Sequence, residues 1–94
     1  MGRNVTKRNP DSQDLTNISS EGQHFLVLHN DEVNTFVYVI DSLVEICGHE
    51  PIQAEQCTFI THHLGKCDIK RGELITLNPM FQGLLNRGLL VTID

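Results

Sequence analysis

One apolar stripe between residues 35 and 47 constrains the fold of this 94-residue chain more than any other feature. Its side chains recur at intervals of three and four residues, the spacing that places them on one face of an α-helix. They are Phe36, Val39, Ile40, Leu43 and Cys47. Because Asn34 is a favourable N-cap and Gly48 a favourable C-terminal stop, we expect a helix between these two residues.

The residues on either side of this helix predict a strand and a second helix. Residues 23–28 form a short apolar run typical of a buried strand, and residues 29–34 form a polar loop. Pro51 is well suited to the first position of a second helix, and Gly65 to its end. We expect its apolar face to consist of Ile52, Phe59 and Ile60, with Cys57 and Leu64 beside them.

The last third of the chain predicts two strands with a helical region between them. Residues 67–70 indicate a brief strand, and residues 89–93 a terminal strand that follows Gly88. Proline is favoured in the first turn of a helix and disfavoured in its interior. We therefore interpret Asn78 and Pro79 as the N-cap and first turn of a third helix.

The order strand, helix, helix, strand, helical region, strand predicts an α+β domain. Such a domain would have a three-stranded antiparallel sheet with helices packed on one face, in a split βαβ-like arrangement. We expect residues 22–94 to form it. Residues 1–21 are rich in Asn, Ser, Thr and Asp and lack a usable apolar period, so we expect a flexible N-terminal arm there.

Composition and charge exclude several classes of protein. The chain has 12 acidic and 7 basic residues, and its net charge of −5 arises entirely from residues 22–94. Without clustered Lys and Arg, this domain is poorly suited to neutralise nucleic-acid phosphates. No apolar run approaches the roughly 18 residues of a membrane span, and no segment resembles a signal peptide. We expect a cytoplasmic monomer that binds neither nucleic acid nor membranes.

The cysteines and histidines do not indicate a catalytic or metal site. The three cysteines are ten residues apart, at positions 47, 57 and 67, and no CxxC pair is present. Successive helical residues point about 100° apart, so His62 and His63 are poorly arranged to chelate one ion. Cys57 and His62 diverge by about 140° on the same helix, and no catalytic motif is present. The sequence therefore favours a protein that is not an enzyme and has no metal or cofactor.

Two groups of polar residues could form a binding site. Asn30, Asp31 and Glu32 offer hydrogen-bond acceptors between the first strand and the first helix. Thr58, Thr61 and His62 share one side of the second helix, which differs from the side that carries Ile52 and Phe59. From residue type alone, the first group is more typical of loop and capping residues, and the histidine of the second group is more typical of an ordinary, partly buried histidine.

The stretch from Leu28 to Lys66 resembles the ClpS family of adaptors for ATP-dependent Clp proteases. The resemblance is carried by an Asn-Asp-acid turn after a strand that ends in Leu-His, joined to a His-x-x-Gly-Lys ending of the second helix. The matching residues are Leu28-His29, Asn30-Asp31-Glu32, Phe36, Val39-Ile40-Asp41, Leu43, Ala54-Glu55-Gln56 and His62-His63-Leu64-Gly65-Lys66. The end of the chain, at residues 89–93, also resembles the terminal strand of the family, whose fold is similar to the C-terminal domain of the ribosomal stalk protein.

This resemblance implies a function in N-end-rule proteolysis. Members of the family bind substrates by a bulky N-terminal residue, an N-degron, and deliver them to a Clp-family AAA+ unfoldase of the ClpA or ClpC type. By position, Asn30, Asp31 and His62 would hold the substrate's α-amino group. The residues around its first side chain would be Glu32, Asn34, Phe36, Val39, Thr58, Thr61 and Leu89. Unfoldase docking would use Glu73 and Asn78, although Asn78 replaces a lysine of the family.

The chemistry of these acceptors suits a free N-terminus. An α-amino group has a pKa of about 7.7–8.0, so near neutral pH it is mostly an ammonium with three donors. The Asn30 amide oxygen, the Asp31 carboxylate and a neutral His62 nitrogen would match these donors. The pocket differs from the family pattern, because Phe36 replaces a gating Met and because Thr58 and Thr61 replace apolar residues. The alternative is a small protein-interaction domain of the same fold without N-degron specificity.

Overall fold

The computed structural model describes residues 23–94, and the expected N-terminal arm lies outside this range. Within it, strands and helices follow one another in the predicted order. They are β1 (His24–His29), α1 (Phe36–Cys47), α2 (Pro51–Leu64), β2 (Lys66–Gly72), α3 (Leu74–Asn86) and β3 (Val91–Ile93). No helix in this part of the chain is long and apolar enough to cross a membrane.

The three strands of the described region form one antiparallel sheet in the order β2-β1-β3. The predicted α+β fold is therefore confirmed. The central strand is the most apolar, since Leu26, Val27 and Leu28 are all buried. Leu28 lies opposite Cys67 of β2 and opposite Val91 of β3. The end of β1 is thus held on both sides by neighbouring strands.

A β-bulge in β2 explains how Ile69 becomes buried. Leu26 pairs with Lys70, whereas Val27 pairs with Asp68, so Ile69 is the extra residue. Its side chain belongs to the core, and its carbonyl lies 2.8 Å from Nε2 of the buried His49. The hydrogen bond satisfies a carbonyl that the bulge removes from the ladder.

The apolar stripe of α1 packs into the core as expected, but its N-cap is Thr35 rather than Asn34. Val39, Leu43 and Cys47 are buried, whereas Phe36 is 41% exposed. The Thr35 hydroxyl accepts a hydrogen bond from the Tyr38 N–H at 3.1 Å. The prediction for Asn34 was wrong because its side chain is held by another part of the loop. Gly48 ends the helix with φ of 71°, as predicted.

The second helix starts at Pro51 and ends before Gly65 as predicted, but it buries a different face. Ile52 and Phe59 are 65% and 55% exposed. The buried residues are Ala54, Thr58 and Thr61, which follow the i, i+4, i+7 spacing of one helical face. This small-residue face was missed because hydrophobic periodicity does not count threonine as apolar.

The third helix begins at Leu74, five residues before the predicted start, and includes Pro79 in its interior. Glu73 is the N-cap, and its carbonyl accepts the N–H groups of Thr76 and Leu77 at 3.0 and 2.9 Å. Interior proline costs about 3 kcal/mol. Two fully buried leucines, Leu77 and Leu84, offset this cost at about 1.5–3 kcal/mol each. The prediction failed because tertiary packing outweighed local preference.

Candidate functional site

A recess opens where the end of β1, the loop before α1 and the inner face of α2 meet. It is open to solvent on one side, and its volume is about 40 Å³. It is lined by Leu28, His29, Asn30, Asp31, Asn34, Phe36, Val39, Thr58, Thr61 and His62. The structure therefore brings together Asn30, Asp31 and His62 with most of the expected side-chain pocket.

The loop that carries the acidic motif is folded around the Asp31 carboxylate. One oxygen, Oδ1, accepts the backbone N–H groups of Val33 and Asn34 at 2.8 and 2.9 Å. The other, Oδ2, accepts from the Asn34 side-chain amide at 3.1 Å. Since a carboxylate offers about four acceptor positions, roughly one remains for a ligand. Asp31 thus shapes the loop as well as contributing charge to the recess.

These hydrogen bonds also keep Asp31 ionised. Burial alone would raise its pKa, but the backbone N–H groups of Asn34 and Val33 and the Asn34 amide act in the opposite direction. Together they hold the pKa of the Asp31 carboxyl below its usual value. At neutral pH the recess therefore contains a carboxylate that can attract a cation.

Asn34 connects the loop to the turn that follows α3. Its side-chain nitrogen donates to the Gly88 carbonyl at 3.0 Å as well as to Asp31. Gly88 is the residue after the C-cap of α3 and has φ of 84°. The side chain expected to line the substrate pocket therefore also fixes the position of the acidic loop.

The two halves of the sequence motif meet through one backbone hydrogen bond. The Asn30 N–H donates to the Gly65 carbonyl at 2.9 Å, and the Gly65 N–H donates to the Thr61 carbonyl at 2.9 Å. Gly65 adopts φ of 97°, which favours glycine. This bond holds the last turn of α2, which carries His62, next to Asn30.

His62 and Phe36 contact each other at the mouth of the recess. Their ring centroids are 5.2 Å apart at an angle of 75°, an edge-to-face arrangement. His62 also contacts His63, which packs on Phe59 on the outer face of α2. Neither the His62 ring nor the Asn30 side chain has a hydrogen bond to another residue of the described region. Both can therefore accept a donor from a ligand.

The two threonines of the recess offer a ligand fewer hydrogen-bond donors than expected. The Thr58 hydroxyl donates to the Ala54 carbonyl, and the Thr61 hydroxyl donates to the Cys57 carbonyl, each at 2.8 Å. Their hydroxyl hydrogens are therefore used within α2. Both side chains narrow the recess, but neither needs a hydrogen bond from a ligand.

Two lining residues, Leu28 and His29, were missed by sequence reasoning. They immediately precede Asn30, and since successive strand residues alternate in direction, their position at the end of β1 was the available signal. The His29 ring nitrogen Nε2 lies 2.8 Å from the Thr92 hydroxyl. This contact fixes the His29 ring against β3.

Four expected functional residues lie away from the recess. Glu32 is exposed and does not line it, and Leu89 is 2% exposed within the core. Glu73 and Asn78 are exposed at the start of α3. Asn78 was predicted to be the N-cap of this helix, but the N-cap is Glu73. Within residues 23–94, no three His, Cys, Asp or Glu side chains are grouped so that they could hold a metal ion.

Comparison with known proteins identifies the family of the chain. Residues 19–89 match the family model of the ATP-dependent Clp protease adaptor protein ClpS. No curated protein sequence matches the chain significantly. Among solved structures, ClpS2 of Agrobacterium tumefaciens bound to L-phenylalaninamide is similar with a TM-score of 0.66 and 12% identity, covering 79% of this chain and 96% of that one. This likeness shows the fold. Since the family model covers most of the sequence of this chain, the chain belongs to the ClpS family of Clp protease adaptors.

Proposed function

We propose that this adaptor recognises proteins by a free N-terminal amine followed by a bulky hydrophobic side chain, and delivers them to a Clp-type AAA+ unfoldase. The observation that supports this best is the convergence of Asn30, Asp31 and His62 in one recess. These residues are 32 positions apart at the extremes and are connected through the hydrogen bond from Asn30 to Gly65. The protein needs no cofactor for this function and acts as a binding protein, not an enzyme.

The amine would be recognised by charge and by its number of donors. An α-ammonium can donate to the Asn30 amide oxygen, the free position on Asp31 and a neutral His62 nitrogen. An internal peptide N–H has one donor and no charge, so it would leave two of these acceptors unpaired. Each unpaired group costs about 1–3 kcal/mol, which excludes internal sequences without any catalytic step.

The first side chain would enter between α1 and α2. The recess is too small for a leucine or phenylalanine side chain, and Phe36 at its mouth is 41% exposed. We therefore propose that Phe36 rotates outward when a substrate binds, and that Val39, Thr58 and Thr61 form the walls around the new side chain. The ClpS2 structure contains L-phenylalaninamide, which combines a free amine with such a side chain.

Delivery to the unfoldase would use a surface that is separate from the recess. Glu73 and Asn78 are exposed at the start of α3 and are the proposed docking residues for a partner of the ClpA or ClpC type. The domain would work as a monomer in the cytoplasm. Because docking and substrate binding use different elements, a substrate can be held while the adaptor is bound to its partner.

A matched pair of histidine variants tests the amine site. We expect His62→Ala to weaken binding of a peptide that begins with Leu or Phe by at least about tenfold, since one acceptor is lost. His63→Ala is the control, because His63 neighbours His62 on α2 but does not line the recess. Fluorescence anisotropy with a labelled peptide measures both. Equal binding by the two variants would contradict the assignment.

The second candidate function is a protein-interaction domain of the same fold without N-degron specificity. The small volume of the recess favours this alternative. A panel of peptides that differ only in the first residue separates the two functions. The alternative predicts the same affinity for every first residue, whereas the proposed function predicts binding of Leu or Phe and none of Asp or Gly.

A further inference from the structure

Tyr38 of α1 does not line the recess, but its hydroxyl is connected to the Asp31 carboxylate through one backbone turn and one side-chain amide. The hydroxyl donates to the Arg87 carbonyl at 2.8 Å. The Gly88 carbonyl, which is next along the chain, accepts the Asn34 side-chain amide at 3.0 Å, and that amide also donates to Asp31 at 3.1 Å. We infer that Tyr38 is a positioning residue for Asp31. This role deepens the proposed amine site, and its effect on ligand binding rests on that site.

The turn formed by Arg87 and Gly88 depends on donors from outside α3. The helix ends at Asn86, and the carbonyls at its end have no partner within the helix. Gly88 is exposed and adopts φ of 84°, a conformation that favours glycine. Tyr38 and Asn34 supply one donor each, to two successive carbonyls. Without the Tyr38 hydroxyl, only Asn34 of these two donors would remain to orient the turn.

The side chain of Arg87 keeps the turn close to α1 by separate contacts. Its guanidinium donates to the Ser42 hydroxyl at 3.3 Å and forms an ion pair with Glu45. Ser42 is fully buried, and its hydroxyl donates to the Tyr38 carbonyl at 2.8 Å. None of these contacts involves the Tyr38 hydroxyl. We therefore expect the turn to stay folded without that hydroxyl, but with its carbonyls less fixed in direction.

The Asp31 oxygen that is free to accept a ligand is the one that Asn34 holds. Oδ1 accepts two backbone N–H groups, whereas Oδ2 accepts the Asn34 amide. With about two acceptor positions on each oxygen, the remaining position lies on Oδ2. The Asn34 nitrogen carries two hydrogens, and its bonds to Gly88 and Asp31 use both. A change in the position of the Gly88 carbonyl would therefore also change the orientation of Oδ2.

Titration of the Asp31 carboxyl tests this role without a ligand. The Asn34 amide is one of the donors that lower the pKa of Asp31, so weakening that hydrogen bond should raise the pKa towards its ordinary value. NMR of the full chain with carbon-13-labelled aspartate follows the carboxyl carbon as the pH falls from neutral to acidic. We expect Tyr38→Phe to raise the pKa of Asp31, and Asn34→Ala to raise it further. An unchanged pKa in Tyr38→Phe would overturn the inference.

Two features make this measurement specific to the hydroxyl. Tyr38→Phe removes one oxygen atom and retains the ring, and the two titratable histidines of the recess, His29 and His62, are unchanged in every variant. Ile69→Val is the control for general loosening, because it removes one methylene from a core residue that does not line the recess. We expect it to leave the pKa of Asp31 unchanged. A rise as large as that in Tyr38→Phe would mean that the hydroxyl has no special role.

A double-mutant cycle tests the route through Asn34. Tyr38→Phe should weaken binding of a peptide with a free N-terminal Leu by about three- to tenfold, the effect of one lost hydrogen bond. In an Asn34→Ala background it should have no further effect, since that route is already interrupted. Fluorescence anisotropy measures all four proteins, and circular dichroism confirms their folds. An equal loss of affinity in both backgrounds would show that Tyr38 does not act through Asn34 and would overturn the inference.

The proposed function and the role of Tyr38 fail in different ways. Equal affinity of the wild-type protein for a free and an acetylated peptide would refute the proposed function, and the titration of Asp31 would then decide the role of Tyr38. Preference of the wild-type protein for the free peptide, together with an unchanged pKa of Asp31 in Tyr38→Phe, would overturn the role of Tyr38 alone.

Discussion

Phe36 is positioned to limit the size of the side chain that the proposed substrate site would accept. Its ring lies at the mouth and contacts His62 edge-to-face, so the expected gate touches one of the expected amine ligands. A residue that is 41% exposed contributes little to the core. If the recess binds the proposed ligand, we expect Phe36 to affect ligand selection more than folding.

Replacing Phe36 should widen the range of accepted first residues. We expect Phe36→Ala to strengthen binding of a peptide that begins with Trp relative to one that begins with Leu, because the ring no longer fills the entrance. The change in unfolding free energy should be at most about 1 kcal/mol, since Phe36 is 41% exposed and lies outside the core cluster. Anisotropy with the two peptides and urea denaturation measure these effects. An unchanged ratio of the two affinities would show that Phe36 is not the gate.

Asp31 acts both as a loop residue and as a charge. Its hydrogen bonds to the Val33 and Asn34 backbone shape the loop, while its lowered pKa keeps it ionised. The sequence identified Asp31 as an acceptor for a ligand. It did not reveal that three donors of the loop already occupy most of its acceptor positions, since that depends on the loop's three-dimensional path.

Changing Asp31→Asn should separate these two roles. The remaining amide oxygen can still accept the backbone N–H groups, so we expect a folded protein with weaker amine binding. Because the folded-state pKa of Asp31 lies below the unfolded value of about 3.9, its ionisation stabilises the fold above that value. This stabilisation is lost as the pH falls through the folded-state pKa. Thermal unfolding between pH 6 and pH 2 should show a smaller acid-induced loss in the variant; identical pH profiles would contradict the role of the charge.

At the scale of elements, the sequence predicted the features that depend on apolar periodicity and on glycines at helix ends. The stripe of α1, its end at Gly48 and the end of α2 at Gly65 follow from local pattern. The buried face of α2 could not be predicted from local pattern, because the hydroxyls of Thr58 and Thr61 are hydrogen-bonded within the helix and both residues pack as small residues. The start of α3 could not be predicted from local pattern either, because the burial of Leu77 outweighs the local effect of Pro79.

Pro79 should therefore destabilise α3, and replacing it should stabilise the domain. We expect Pro79→Ala to raise the free energy of unfolding by about 2 kcal/mol, since it restores the hydrogen bond to the Ile75 carbonyl and relieves the ring clash. The gain is reduced by about 0.4–1 kcal/mol because the unfolded chain becomes more flexible. Urea denaturation measures the change, and Gln82→Ala, an exposed position on the same helix, is the control. A Pro79→Ala protein of equal or lower stability would mean that α3 does not run through residue 79.

At the scale of the whole molecule, the order of the strands in the sheet brings the parts of the candidate site together. With β1 at the centre of the sheet, its C-terminal end lies beside the end of α2, and the Asn30 N–H can reach the Gly65 carbonyl. The sequence motif could predict that these segments act together, since both halves belong to one family pattern. The tertiary contacts that close the site, from Asn34 to Gly88 and from His29 to Thr92, connect residues more than 50 positions apart and leave no local signal.

We propose above all that the adaptor recognises a free N-terminal amine. This proposal is tested most directly by one peptide that begins with Leu and carries a C-terminal fluorophore, measured by anisotropy with its α-amine either free or acetylated. We expect acetylation to weaken binding by at least about 100-fold, because it removes the charge and two of the three donors. Equal affinity for the free and the acetylated peptide would contradict it.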